Sequence, residues 1–189
     1  LTIQEALDQF FEKNNLGKDG GLNKNWAWLK LGRFYIPFPN PDSRKKALVL
    51  HDIHHIATGY ESNWRGEVAI GAWEISTGCG SYSAAWVLDL GAFALGLFLF
   101  PKIVYHAFVR GQHTLNLYKN KVDKNAILQM QVSEVQAMLR LDAQTIDEVS
   151  ANDKLSFIYW SLVALLFSGV CFIGPYVLLG WFIFNRLHP

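Results

Sequence analysis

Leu155 to Phe184 reads LSFIYWSLVALLFSGVCFIGPYVLLGWFIF, thirty residues without one charged side chain. About 20 apolar residues suffice to cross a bilayer, and a chain of 189 residues has little core against which to bury thirty. The run predicts membrane insertion, either as one kinked helix or, because Gly174-Pro175 divides it, as a helical hairpin. Within it, Cys171 reads as a small buried hydrophobe. The compositional break at Asp153-Lys154 divides the chain into a mixed region, 1–153, and a hydrophobic anchor, 154–189.

Working outward, Asp123 to Leu141 is polar with an apolar stripe through Ile127, Met130, Val135, Met138 and Leu139, which predicts one surface helix. Ala84 to Phe100 is apolar except for Asp89, and its seventeen residues stand at the lower edge of a membrane span of about 17–25. Ser62 is placed to cap a helix over roughly Trp64 to Thr77, which the Gly78-Cys79-Gly80 break ends. Asn40-Pro41-Asp42-Ser43 caps another, reaching Thr58 and stopping at Gly59. Trp26 to Phe38, aromatic and closed by Pro37 and Pro39, reads as irregular or as a short edge strand. Thr2 with Glu5 predicts a capping box for an amphipathic helix to about Asn15, rather than a basic-then-apolar targeting segment. The fold class that follows is all-α: a helical domain with a C-terminal membrane-inserted helix or hairpin.

Composition narrows the partners. Hydrophobic residues at 51% and aromatics at 14% lie at the upper end for a soluble domain. A net charge of +1 supplies no basic footprint, so nucleic acid is set aside. Two cysteines, Cys79 and Cys171, make neither a disulfide framework nor a Cys-rich zinc site. Lysine and arginine are spread too evenly to orient the chain across a membrane.

His51-Asp52-Ile53-His54-His55 sits inside the helix that begins near Ser43. At about 100° per residue, His51, His55 and Asp52 share an arc of roughly 100°, and His54 diverges from it. Three such side chains can converge on one ion, and imidazole with carboxylate suits zinc, iron or manganese. A further ligand must come from a second element. The next helix offers Glu67 in its first turn and Glu74 nearly two turns later on the same face. His54 reads as a supporting or solvated group, and His106, His113 and His188 as isolated structural histidines.

HDxxH, eleven residues and then Glu, as His51-Asp52-Ile53-His54-His55 with Glu67, resembles the signature of the Coq-four type ubiquinone (coenzyme Q) biosynthesis proteins. Gly66-Glu67-Val68-Ala69, Glu74-Ile75-Ser76-Thr77-Gly78, Ala107-Phe108-Val109-Arg110-Gly111 through Asn116-Leu117-Tyr118, and Val135 to Leu141 extend the likeness over roughly residues 5 to 142. The resemblance implies that His51, Asp52, His55 and Glu67 are the metal ligands, with zinc the usual ion. It also implies a mostly helical fold whose cleft accepts a polyprenyl chain. Family members are implicated in oxidative decarboxylation of the quinone precursor's head group and in organising other quinone-biosynthesis enzymes on the membrane. The tail from Leu155 is not part of that pattern, which makes this chain an anchored relative and leaves another isoprenoid lipid possible as substrate. Because the likeness flanks Ala84–Phe100 on both sides, that segment is expected to be buried in the domain or to lie in the interface, with Asp89 facing polar partners or protein.

Two further assignments follow. Glu74 is the candidate partner behind the ligands or proton acceptor, and Arg110 the candidate contact for an acidic head group. The leading expectation is a metal-dependent enzyme acting on a membrane-dissolved isoprenoid head group. The alternatives are a lipid-binding scaffold with a structural metal and, least favoured, a membrane diiron oxygenase reading His51-x-x-His54-His55 as one histidine box. Such oxygenases carry several boxes, and six histidines in all supply no second.

Overall fold

The structure, a computed structural model, describes residues 1–31, 34–120, 122–141 and 149–187. His188 lies outside them. Apart from one antiparallel hairpin, β1 (Trp26–Leu31) with β2 (Phe34–Pro39), the elements among the described residues are helical. The class is all-α. The aromatic stretch therefore forms two short paired strands rather than one, with Pro37 and Pro39 on a strand that pairs on one side only.

Helix α1 (Ile3–Lys13) starts with the expected capping box: Thr2 Oγ1 accepts from Glu5 N–H at 3.3 Å, and Glu5 Oε2 accepts from Thr2 N–H at 2.9 Å. Its buried face is Ile3, Ala6, Leu7 and Phe11. Helix α2 (Asp42–Thr58) ends at Gly59, whose φ of 78° only glycine adopts without strain, and whose N–H closes on His55 O at 3.0 Å. Helix α3 (Trp64–Thr77) is capped by Asn63, not Ser62. Asn63 Oδ1 accepts from Arg65 and Gly66 N–H, both at 3.0 Å, because it stands at the residue directly before the first helical one. Ser62 is left to hold Glu67.

Helix α3 is the centre of the molecule. Nearly all its residues from Gly66 to Thr77 are buried, Trp73 and Ile70 completely. A helix covered on all sides shows little amphipathic pattern, and helices α4 (Ser83–Leu99) and α5 (Pro101–Gln112) are the covers. Close approach is built into the sequence: a Cβ on Gly71 would stand 3.1 Å from Ala92 of α4, and one on Gly111 would stand 2.6 Å from Ser76 of α3. Helix α4 is therefore packed on the domain by one face, through Ala85, Asp89, Leu90, Phe93 and Ala94.

The single surface helix expected over 123–141 is two, α6 (Lys124–Gln129) and α7 (Val132–Met138). The break has a tertiary cause. The Met130 carbonyl accepts from Ile3 N–H at 2.9 Å, and Val132 N–H donates to Leu1 O at 3.0 Å, so the chain start pairs with residues that helix continuity would have used.

Helix α8 (Ala151–Ser168), a π-helical turn (Gly169–Ile173) and α9 (Gly174–Leu187) follow without interruption. Ala151–Arg186 is one helix of 36 residues, long and apolar enough to cross a membrane by length and composition. It is not a hairpin. Its first half docks on α4 and α5: Trp160 stacks on Trp86 with centroids 5.4 Å apart, Phe157 meets Phe93 and Phe108, and Ala164 is fully buried. The second half is exposed from Tyr176 to Phe184, and Cys171, expected to be buried, is exposed there.

Candidate metal centre

Two elements build the site. Residues His51 and His55 are one turn apart on α2, and Glu67 stands in the first turn of α3, where the Asn63 cap fixes the helix start. The Nε2 atoms of His51 and His55 are 3.2 Å apart. Glu67 Oε2 lies 3.7 Å from the first and Oε1 lies 3.6 Å from the second. Ser62 Oγ donates to Glu67 Oε1 at 3.2 Å and steadies it.

The tautomers follow from what the other ring nitrogens touch. His55 Nδ1 faces the Tyr60 carbonyl at 2.9 Å, so it carries the proton. His51 Nδ1 faces both oxygens of Glu74 at 3.1 Å and donates to that carboxylate. Both Nε2 atoms therefore turn lone pairs toward one point, alongside a carboxylate. Two lone pairs at that distance repel unless a cation lies between them. Around a zinc ion with ligands at about 2.0–2.1 Å, tetrahedral neighbours are roughly 3.3 Å apart, close to the separations found. The arrangement can hold a divalent cation.

Glu74 lies behind this face, completely buried. Besides His51 it accepts from His54 Nδ1 at 2.6 Å and from Tyr118 Oη at 3.3 Å. His54 is neither solvated nor aimed at the ligand face. Its Nε2 accepts from Leu117 N–H at 2.9 Å, and its ring is wedged edge-on between Trp73 and Tyr118. Asp89 reaches the same place from α4, with carboxylate oxygens near those of Glu74 and the Nδ1 side of His51, and it accepts from Cys79 Sγ at 3.4 Å. Carboxyl groups so close share a proton. Sequence reasoning did not assign Asp89, Tyr118 or Cys79 to the site.

Electrostatics agree with that geometry. Burial opposes charge on His51, but the charge of Glu74 and the bonds from Glu67 and Glu74 outweigh it and raise its pKa well above the usual histidine range. Burial likewise opposes ionisation of Glu74, and His51 and His54 together hold it well below the carboxylate range. Burial, with the His51 charge beside it, lowers His55 to about 4. Without metal, the positive charge between the two rings belongs to a proton on His51. The site favours a cation either way.

Asp52 stands apart from the triangle of His51, His55 and Glu67. It is buried under the Gly20 turn, where a Cβ would come within 3.4 Å of its Oδ2, and burial raises its pKa to about 7. Arg110 donates from Nη1 to the Thr58 carbonyl at 2.9 Å, satisfying the C-terminal end of α2, and its guanidinium lies over the Tyr60 ring. His106 is exposed on α5, whereas His113 faces Asp153 at 3.3 Å and ties the end of α5 to the start of α8. A cleft of about 420 Å³ opens beside His55, between Phe10, Tyr60 and Ser62. Compared with known proteins, the chain matches no family model, no curated protein and no solved structure.

Proposed function

We propose that this chain is a membrane-associated, metal-dependent protein of isoprenoid quinone biosynthesis. It acts on the head group of a polyprenylated aromatic precursor, in a reaction of the oxidative-decarboxylation type, or presents that precursor to partner enzymes. The observation that carries the metal part is the pair of Nε2 lone pairs 3.2 Å apart with Glu67 across from them. The quinone part rests on the resemblance of His51-Asp52-x-x-His55 with Glu67 to the Coq-four type signature.

Three residues, His51, His55 and Glu67, hold the ion, with Asp52 the fourth ligand that the resemblance adds. Two imidazoles and a carboxylate suit zinc, iron or manganese. A bound ion of this kind polarises a carboxylate or phenolic oxygen of the substrate. Glu74 fixes the His51 tautomer and raises its basicity as a ligand. Ser62 and the Asn63 cap orient Glu67, and Phe10, stacked on His55 at 5.6 Å, walls the cleft through which a ring approaches. A site held by these three ligands alone keeps a coordination position free and favours an enzyme, because structural zinc sites are closed by four protein ligands. If Asp52 turns in and closes the shell, the chain is instead a lipid-binding scaffold with a structural metal. Zinc supplies no redox chemistry, so an oxidative step requires iron or manganese here, or an oxidant bound elsewhere.

Lipid mass spectrometry of a strain deleted for this chain tests the reading. It predicts accumulation of a carboxylated polyprenyl aromatic, restored by the intact chain and not by His51→Ala. An unchanged lipid profile would contradict it.

A further inference from the structure

Charge is distributed unevenly over the surface of the domain. Helices α1 and α2 carry exposed lysines and acidic residues and α6 an exposed lysine, whereas α4 has one charged residue, Asp89, and it points inward. After Lys154, α8 has none. On α4 the outward positions Leu88, Phe98 and Leu99 fall on one side, and Phe98 is 75% exposed. On the neighbouring α8, Ile158, Leu162 and Leu166 repeat at helical spacing, and Leu166 is 70% exposed. Stacking of Trp86 on Trp160 and contact of Phe93 with Phe157 fix the two helices side by side, so the outward residues belong to one built face. A domain in water rarely shows so large an apolar patch.

We infer that the outer face of α4 and α8 lies in the hydrocarbon of the membrane, making α4 a second lipid-contacting helix beside the C-terminal one. The inference rests on the membrane reading of the previous section and extends it. Two observations select lipid as the occupant. The exposed α8 residues continue without a charged break into α9, whose residues 175–186 are exposed on every side of the helix. The run is also too long for one crossing: thirty uncharged residues rise about 45 Å, whereas the hydrocarbon core is about 30 Å thick. Whichever part crosses, the docked half of the run needs an apolar surrounding as well, and α4 shares that surrounding. The metal helices α2 and α3 then lie one layer from lipid, because α3 packs directly beneath α4.

Site-directed spin labelling of the full chain tests this in phosphatidylcholine vesicles. Nitroxides at Leu88→Cys, Leu162→Cys, Val177→Cys and Lys124→Cys, in a Cys171→Ser background, report access to oxygen, which concentrates in lipid, and to a water-soluble nickel chelate. The ratio of oxygen to nickel access is expected to be severalfold higher at 88, 162 and 177 than at 124. A high ratio at 177 with values at 88 and 162 matching 124 overturns the lipid face and leaves the anchor standing. A low ratio at 177 as well overturns both. Exclusion of both reagents at 88 and 162 also overturns it, because protein then covers the face.

Discussion

Along the seam of α2 and α3 the chain buries side chains that water would hold, and along α8 and α9 it exposes side chains that water expels. Glu74, His54 and Asp89 are almost wholly covered, while Leu166, Val170 and Tyr176 are each about 70% exposed or more. In a domain that bound nothing, both features would cost stability. The buried polar groups are tolerated because each has partners: three donors converge on Glu74, and the outermost ring nitrogens, Nε2 of His51 and His55, face a position for a cation. The apolar groups along α8 and α9 keep most of their surface exposed. On the proposed reading an ion completes one region and a bilayer the other, and substitutions should separate the two.

The largest effect is expected in the buried seam. Glu74→Ala leaves His51, His54 and Tyr118 without their common acceptor, and should cost about 3–5 kcal/mol in chemical denaturation. In the tail, Leu178→Lys places a charge in the middle of the exposed half-helix. It should weaken membrane retention by about 2.5–3.5 kcal/mol and leave the denaturation midpoint of the detergent-solubilised domain unchanged, since Leu178 is exposed. A fall in the stability of the domain would break the comparison.

Asp52 sharpens it further. Its folded pKa of about 7 is raised above 3.8, so the native state binds the proton more tightly. Its stabilising contribution is complete below pH 4 and is lost as pH rises through 7. In metal-free protein, Asp52→Asn should therefore gain stability relative to the parent as pH rises from 4 to 7, by about 1.4 kcal/mol per pH unit. With metal bound the gain should shrink if the carboxylate turns in as a ligand, and persist if it does not. The smallest effect is local: Asn63→Ala removes the α3 cap and should cost about 1 kcal/mol, with a modest loss of metal affinity through Glu67.

Much of this was legible in the chain itself. Helical spacing put His51 and His55 on one face, and the Gly59 and Gly78 stops delimited the two helices that meet there. The thirty-residue run announced the long C-terminal helix, although Gly174-Pro175 left open a hairpin that the continuous helix excludes. Illegible parts depended on distant packing. Nothing near Asp89 in sequence tells that α4 turns it onto Glu74, but a lone carboxylate in an apolar run was the available signal, and a charge that cannot face lipid or core must meet partners. The break between α6 and α7 depends on backbone bonds to Leu1 and Ile3, well over a hundred residues away in sequence. Ser62 and Asn63 are both good caps, and only the observed helix start distinguishes them.

Whether His51, His55 and Glu67 hold a cation is tested most directly by metal analysis of the purified protein. Elemental quantification after titration with zinc, iron(II) or manganese should give about one ion per chain, lost in both His51→Ala and Glu67→Ala, while circular dichroism shows the helices retained. Protein that binds no metal, or that binds it equally in both variants, would contradict the account.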